Sequence, residues 1–97
     1  MLTIVIHEEA EEEIKASAAY YESVRAGLGE NFLRELADGF GQIQRHPLAW
    51  GVLEDEFRRY LMPRFPYGVV YRIEEDLIYV LAVMHLHRKP SYWLDRS

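Results

Sequence analysis

The chain has 97 residues, 49% of them hydrophobic, contains no cysteine and carries a net charge of −5. This length predicts one domain, residues 1–97, with a single core. The lack of cysteine excludes disulfides and thiolate chemistry, and the acidic balance argues against a general nucleic-acid-binding protein. The longest apolar run, 77–84, is too short to span a membrane, and the N-terminus carries no signal peptide, so we expect a cytoplasmic protein.

The first residues of the chain predict a strand and then a helix. Residues 3–6 are a short run of β-branched side chains, a pattern typical of a strand. Five acidic residues follow between positions 8 and 13, where they suit the start of a helix and are expected to face solvent. Apolar residues then recur at helical spacing, which predicts a helix over about 8–26.

A second helix follows a turn that contains two glycines. Gly27 and Gly29 are expected to end the first helix, and helical spacing of apolar residues predicts the second over about 30–45. Gly39 and Gly41 are unusual inside a helix because glycine costs about 1 kcal/mol there relative to alanine. They favour close approach of a neighbouring backbone over a groove for a partner segment.

The second half of the chain predicts three strands and a C-terminal tail. The strands are expected at 57–65, 67–73 and 77–86, and the tail at 87–97. The last strand is almost entirely apolar, as expected for a central strand that is covered on both faces. The predicted order is β-α-α-β-β-β, which indicates an α+β fold.

The charge is divided unevenly along the chain. Residues 1–44 carry a net charge of −6, whereas residues 45–97 carry +1. The segment 57–73 contains no acidic residue and four arginines, namely Arg58, Arg59, Arg64 and Arg72. This basic segment predicts contact with an acidic partner, whose association would be slowed by salt.

Four stretches, in their order and spacing, resemble the RelE/ParE superfamily of bacterial type II toxin–antitoxin toxins, and the ParE-like plasmid stabilisation branch in particular. They are AAYYE and GLGENFL within 18–33, HPLAW at 46–50, RRYLMPRFPYGVVY at 58–71 and VMHLHRKPSYW at 83–93. The resemblance implies a small antiparallel sheet packed against an N-terminal helical hairpin. It also implies an antitoxin partner whose C-terminal segment wraps the toxin, in an assembly whose stoichiometry (a homodimer or a heterotetramer with antitoxin) stays open.

The resemblance leaves the cellular target open. ParE-like members inhibit growth by binding DNA gyrase, whereas RelE-like members cut mRNA on the ribosome, and an inactive remnant would only bind antitoxin. Metal-independent RNA cleavage needs an acid, a base and cations for the phosphate. The candidates for these catalytic roles are Arg64, His85, His87, Arg88 and Tyr92. The sequence lacks the lysine-rich cluster that typifies RelE-like nucleases, which favours the binding toxin.

A binding toxin would use a different set of residues. The candidates for contact with the target or the antitoxin are Arg58, Arg59, Arg64, Arg72, Arg88 and Trp93, because interface energy concentrates in arginine and aromatic side chains. Trp93 and Tyr92 also suit a hydrophobic clasp that holds the tail. His85 and His87 share a strand face, but no third ligand accompanies them, so we expect neither a metal site nor a cofactor.

Overall fold

The computed structural model describes residues 2–96, so Met1 and Ser97 of the predicted domain lie outside the described residues. No helix within this range is long and apolar enough to cross a membrane. The elements, in chain order, are β1 Thr3–Ile6, α1 Glu8–Val24, α2 Leu28–Arg45, β2 Val52–Glu54, β3 Phe57–Leu61, β4 Tyr67–Glu74, β5 Leu77–His85 and a 3-10 turn Leu94–Arg96.

The α+β class and the helical hairpin are confirmed, and the structure adds detail to the sheet. The five strands lie in the order β1-β5-β4-β3-β2. Strands β2 to β5 form an antiparallel meander, but β1 pairs with β5 in parallel, so the sheet is mixed. The parallel pair is feasible because the helical hairpin supplies the long connection that parallel strands require. The extra edge strand β2 was not predicted because its three residues are too short to form a pattern.

The turn between the two helices is built by a glutamate and two glycines. Gly27 adopts φ +88°, a left-handed conformation that favours glycine. The Glu22 carboxylate accepts hydrogen bonds from the backbone N–H groups of Gly27 and Gly29, both at 3.0 Å. These bonds satisfy donors at the start of α2 that a helix leaves unpaired. A Cβ at Gly29 would meet the carbonyl oxygen of Ala18, so the two helices approach closely here.

The inner face of the sheet is covered by the helices. Phe32, Leu36 and Ile43 form the buried stripe of α2, and they pack against inward side chains of β3, β4 and β5. A close neighbour is present at Gly39 as predicted, but it is the ring of Tyr60 rather than a backbone. The expectation for Gly41 is wrong, because a Cβ there would meet only the flexible end of the Arg45 side chain, at 3.4 Å.

The outer face of the sheet is covered by the C-terminal tail. A β-bulge interrupts the pairing of β4 with β5 after Val70, and it leaves Leu81 and Ala82 together on the outer face. Trp93 is completely buried against this cluster, where its ring centroid lies 4.9 Å from that of Phe57. Strand β5 is therefore covered on both faces, which confirms the prediction from its apolar sequence.

Candidate functional site

The tail is fixed to the first helix by a largely buried carboxylate. Glu13 of α1 accepts hydrogen bonds from the Tyr92 hydroxyl at 2.6 Å and from two Arg96 nitrogens at 3.0 Å each. The Val83 backbone N–H of β5 donates to the same carboxylate at 3.0 Å. The side chains of Glu13 and Arg96 are only 13% and 10% exposed. We call Glu13, Tyr92 and Arg96 the Glu13 cluster; it joins helix, sheet and tail.

The prediction that the acidic run faces solvent is wrong for Glu13, although it holds for its neighbours Glu11 and Glu12. The sequence contained a signal for this position. Glu13 follows Ala10 by three residues and precedes Ile14 by one, so helical spacing places it beside the buried stripe of α1. Sequence patterns missed Arg96 because it lies near the chain end, outside any strand or helix pattern.

The Glu13 cluster determines the chemistry available to Tyr92. Burial raises the pKa of the Tyr92 hydroxyl well above its usual value, and its hydrogen bond to the Glu13 carboxylate raises that pKa further, against the opposing effect of Arg88 and Arg96. The hydroxyl therefore stays protonated near neutral pH and donates to the carboxylate. Arg88 lies over the Tyr92 ring, 4.1 Å from its centroid, and its nitrogen is 3.7 Å from the Glu13 carboxylate.

The two candidate histidines follow one another at the end of β5. The His85 Nδ1 accepts a hydrogen bond from the His87 backbone N–H at 3.1 Å, which leaves Nε2 as the remaining polar atom of that ring. The His85 ring centroid lies 5.3 Å from that of Tyr67 and 5.1 Å from that of His87. Among residues 2–96, no group of three or more His, Cys, Asp or Glu side chains could hold a metal ion.

Two of the four arginines in the basic segment form contacts within the fold. Arg58 donates to the Trp50 carbonyl oxygen at 2.7 Å, which fixes the loop before β2. Arg72 pairs with Glu74 at 2.9 Å and lies 4.8 Å from the centroid of the Tyr79 ring. Both guanidinium groups therefore already have partners within the fold.

The other two arginines lie in different grooves. Arg64 lines a groove of about 690 Å³ between α2 and the loop after β3, where its backbone N–H donates to Glu35 at 2.8 Å. We call this the helix groove; Arg25, Glu35 and Asp38 also line it. Arg59 instead lies on the outer face of the sheet, where its aliphatic stem crosses Gly68.

A second groove of about 430 Å³ lies where the tail leaves the sheet, and we call it the tail groove. It brings together Arg59 from β3, Met84 from β5 and Arg88 from the tail. The groove is also lined by Leu53, Glu54, Leu86, Pro90, Ser91 and Trp93. Of the predicted site residues, the structure thus places Arg59, Arg88 and Trp93 around one groove. Arg64 lines the other groove, and Trp93 contributes from beneath the surface because its side chain is fully buried.

A model of the ParE toxin family of type II toxin–antitoxin systems (parDE) matches residues 4–90, which is most of the chain. The chain belongs to this family. The structure is also similar to a solved chain described as the chromosomal ParDE toxin–antitoxin system from P. aeruginosa, with a TM-score of 0.66 and 16% identity over 88% of this chain and 96% of that chain. At this identity the likeness shows the fold alone. No curated protein matches the sequence.

Proposed function

We propose that this ParE-family toxin acts in the cytoplasm, stops growth by binding a cellular target such as DNA gyrase, and is neutralised by a cognate antitoxin protein. Family membership and the similar ParDE structure support an antitoxin partner. The observation that carries the binding mode is the Glu13 cluster. It holds the tail's tyrosine protonated and places a carboxylate beside the tail's arginines.

The Glu13 cluster makes two of the candidate nuclease residues, Tyr92 and Arg88, less available for RNA cleavage. Tyr92 cannot act as a base while its hydroxyl donates to Glu13, and the direction of its pKa shift keeps it protonated. Arg88 lies 3.7 Å from the same carboxylate, which offsets part of the positive charge that Arg88 could offer to a transition state at phosphorus. Among the described residues, Arg64 forms no hydrogen bond or ion pair with His85, His87 or Arg88, and it lines a different groove.

One observation favours ribosome-dependent mRNA cleavage as the second candidate. His85 ends β5, and Arg88 follows it closely and lines the tail groove together with Arg59. A histidine and two guanidinium groups are residue types that phosphate chemistry can use. His85 and Arg88 are therefore the residues whose replacement separates the two candidates.

The test compares growth arrest with two purified reactions. Expression of the chain alone is expected to stop growth, and co-expression of the antitoxin encoded beside it is expected to restore growth. The purified chain is expected to inhibit DNA supercoiling by gyrase and to leave mRNA on translating ribosomes intact. Cleavage of ribosome-bound mRNA, with gyrase unaffected, would overturn the binding mode in favour of the nuclease. Normal growth at verified soluble expression would count against an active toxin and favour the remnant.

Single substitutions test the mode independently of the target. Loss of a positioned acid or base typically lowers a rate by about 10²–10⁴-fold, so a nuclease would lose toxicity completely in His85→Ala. A binding toxin is expected to lose toxicity in steps, with a larger effect for Arg88→Ala than for His85→Ala. Growth assays at matched expression, with melting temperatures measured alongside, distinguish the two patterns.

A further inference from the structure

We infer that the tail groove is a docking site for an acidic segment of the antitoxin that carries an aliphatic side chain next to a carboxylate. This inference rests on the proposed function, since it names how the partner of this toxin is held. The groove combines two incompletely paired arginines, a single acidic side chain and an apolar floor. The carboxylate of such a segment can bind the arginines, and its aliphatic side chain can pack on the apolar floor.

The cations of the groove have donors to spare. Within residues 2–96, the Arg59 guanidinium makes no hydrogen bond or ion pair, and its stem is held in place by its passage across Gly68. The Arg88 side chain is 53% exposed, and its one ion pair, with Glu13, is long at 3.7 Å. A carboxylate can accept from several donors at once, and charge-assisted bonds of this kind are among the stronger hydrogen bonds.

The groove contains one acidic side chain, Glu54, against its two arginines. Glu54 accepts a hydrogen bond from the Ser91 hydroxyl at 2.9 Å. Ser91 holds this position in a left-handed conformation with φ +64°, which is unusual for a residue other than glycine. The Trp93 indole nitrogen is buried and has no partner. A ligand oxygen would reach it only if a groove side chain shifted, so we assign the main polar contacts to the two arginines.

The floor and rim of the groove supply the apolar part of the site. Met84 is buried beneath the groove, whereas Leu53 and Leu86 remain 39% and 37% exposed on either side of it. These three side chains form a surface that an aliphatic side chain of the partner can cover, which removes apolar area from water. An extended peptide could place that side chain and a carboxylate on neighbouring residues.

The two grooves have the same lining charge of +1, because three arginines and two acids line the helix groove, whereas two arginines and one acid line the tail groove. The tail groove therefore presents fewer carboxylates to an acidic segment. The comparison of Arg59 and Arg88 with Arg25 in the first experiment below tests the choice between the two grooves. The net charge of −5 opposes a nucleic acid at long range, whereas a short peptide carries too little charge to be excluded in the same way.

The first experiment measures affinity for the antitoxin that restores growth in co-expression. Arg59→Gln and Arg88→Gln remove the two charges and keep most of the length of each stem. The double variant is expected to weaken binding by about 10–100-fold. Arg25→Gln is the matched control, because it removes an exposed arginine from the helix groove, and it is expected to change affinity by less than about twofold. Unchanged melting temperatures show that the variants fold.

The second experiment locates the contact with the indole N–H signals of the two tryptophans. Fluorescein-labelled 15-residue peptides that tile the antitoxin are added to the ¹⁵N-labelled chain, and a fluorescein-labelled 12-nucleotide single-stranded RNA serves as the alternative ligand. An acidic peptide is expected to shift the Trp93 signal. The Trp50 signal, which reports from the inner face near Tyr60, is expected to stay in place. Trp93→Phe identifies the signal.

The outcomes separate this inference from the proposed function. Absence of any binding to antitoxin by the unmodified chain overturns the proposed function and this inference with it. Tight binding that survives the double substitution, or that is weakened more by Arg25→Gln, overturns the docking site alone. A Trp93 shift produced by RNA but by no antitoxin peptide assigns the groove to nucleic acid and also overturns it.

Discussion

The two faces of the sheet are covered in different ways. The inner face is covered by α1 and α2, helices of 17 and 18 residues whose apolar side chains spread the packing over many positions. The outer face is covered by a short tail that ends in a three-residue 3-10 turn. Its two main anchors are the buried indole of Trp93 and the largely buried carboxylate of Glu13.

This difference shows where stability and function can be separated in the molecule. Loss of one inner residue removes one part of a distributed core, whereas loss of Trp93 or Glu13 removes one of the few anchors that hold the tail. The tail groove lies at the margin of the outer cover, next to these two anchors. Local opening free energies are low where few buried contacts hold a segment, so the tail is expected to open before the inner face does.

The largest expected effect comes from removing the indole. Trp93→Ala is expected to lower the free energy of unfolding by about 3–5 kcal/mol, because the side chain is completely buried. Phe32→Ala on the inner face is the matched variant, since that ring is also fully buried and its cost falls in the same range. Hydrogen exchange distinguishes the faces: amides of β5 near Ala82 are expected to exchange faster in Trp93→Ala than in Phe32→Ala. Equal exchange patterns would contradict the comparison.

The next effect comes from the carboxylate. Glu13→Gln is expected to lower the free energy of unfolding by about 2–4 kcal/mol, because the Arg96 guanidinium, only 10% exposed, loses the nearly buried carboxylate that pairs with it. Its remaining acidic partner is the more exposed Glu9, at 3.2 Å. Glu12→Gln is the control: Glu12 is 74% exposed and pairs with Lys15 at 3.6 Å, so the expected change is less than about 0.5 kcal/mol. Urea unfolding measures both variants. Equal stability of the two would show that the Glu13 cluster contributes little.

The inner face was largely predictable from the sequence, and the outer face was not. Helical spacing and strand patterns report which side chains face a core, and they located both helices and the three longer strands to within a few residues. The apolar run of β5 indicated a cover on both faces. Its β-bulge was not predictable, because it changes which residues share a face without changing the composition of the strand.

The grooves could not be predicted because they depend on contacts between distant parts of the chain. Arg58 and Arg59 are adjacent in β3, so their side chains point to opposite faces of the sheet. Only the fold shows that Arg58 donates a hydrogen bond to the Trp50 carbonyl oxygen, whereas Arg59 lines a groove together with Arg88. The Glu13 cluster joins residues that are 79 and 83 positions apart, a separation at which no local pattern is informative.

Alkaline pH is expected to weaken the inner face through Tyr71. Burial raises the pKa of Tyr71 from 10.0 to about 12, and Arg58 opposes the change. The unfolded chain therefore loses this proton near pH 10, whereas the folded chain keeps it until about pH 12. Stability is fully present below pH 10 and falls between about pH 10 and 12, by roughly 2–3 kcal/mol for this group.

The variant Tyr71→Phe tests this pH dependence. At pH 7 it is expected to cost about 1 kcal/mol, because the Tyr71 hydroxyl donates to the Pro47 carbonyl oxygen at 2.6 Å. Above pH 10 its stability is expected to fall less steeply than that of the unmodified chain. Tyr20→Phe, at a side chain that is 61% exposed, is the control. A decline as steep in Tyr71→Phe as in the unmodified chain would assign the alkaline loss to other groups, Tyr92 on the outer face among them.

The smallest effects concern two glycines of α2, and they test how rigid the inner face is. A Cβ at Gly39 would lie 2.6 Å from the Cε2 atom of Tyr60, whose ring is backed by Trp50 at a centroid distance of 4.9 Å. Overpacking costs about 1–3 kcal/mol, and the gain in helix propensity returns about 1 kcal/mol. Gly39→Ala is therefore expected to destabilise the chain by about 1–2 kcal/mol.

Gly41→Ala is the contrasting variant. Its methyl group would meet only the flexible end of the Arg45 side chain, so it is expected to stabilise the chain by about 0.5–1 kcal/mol. Thermal unfolding of both variants measures the contrast in sign. If both alanines raised the melting temperature, the Tyr60 ring would be able to move aside, and the packing at Gly39 would not be rigid.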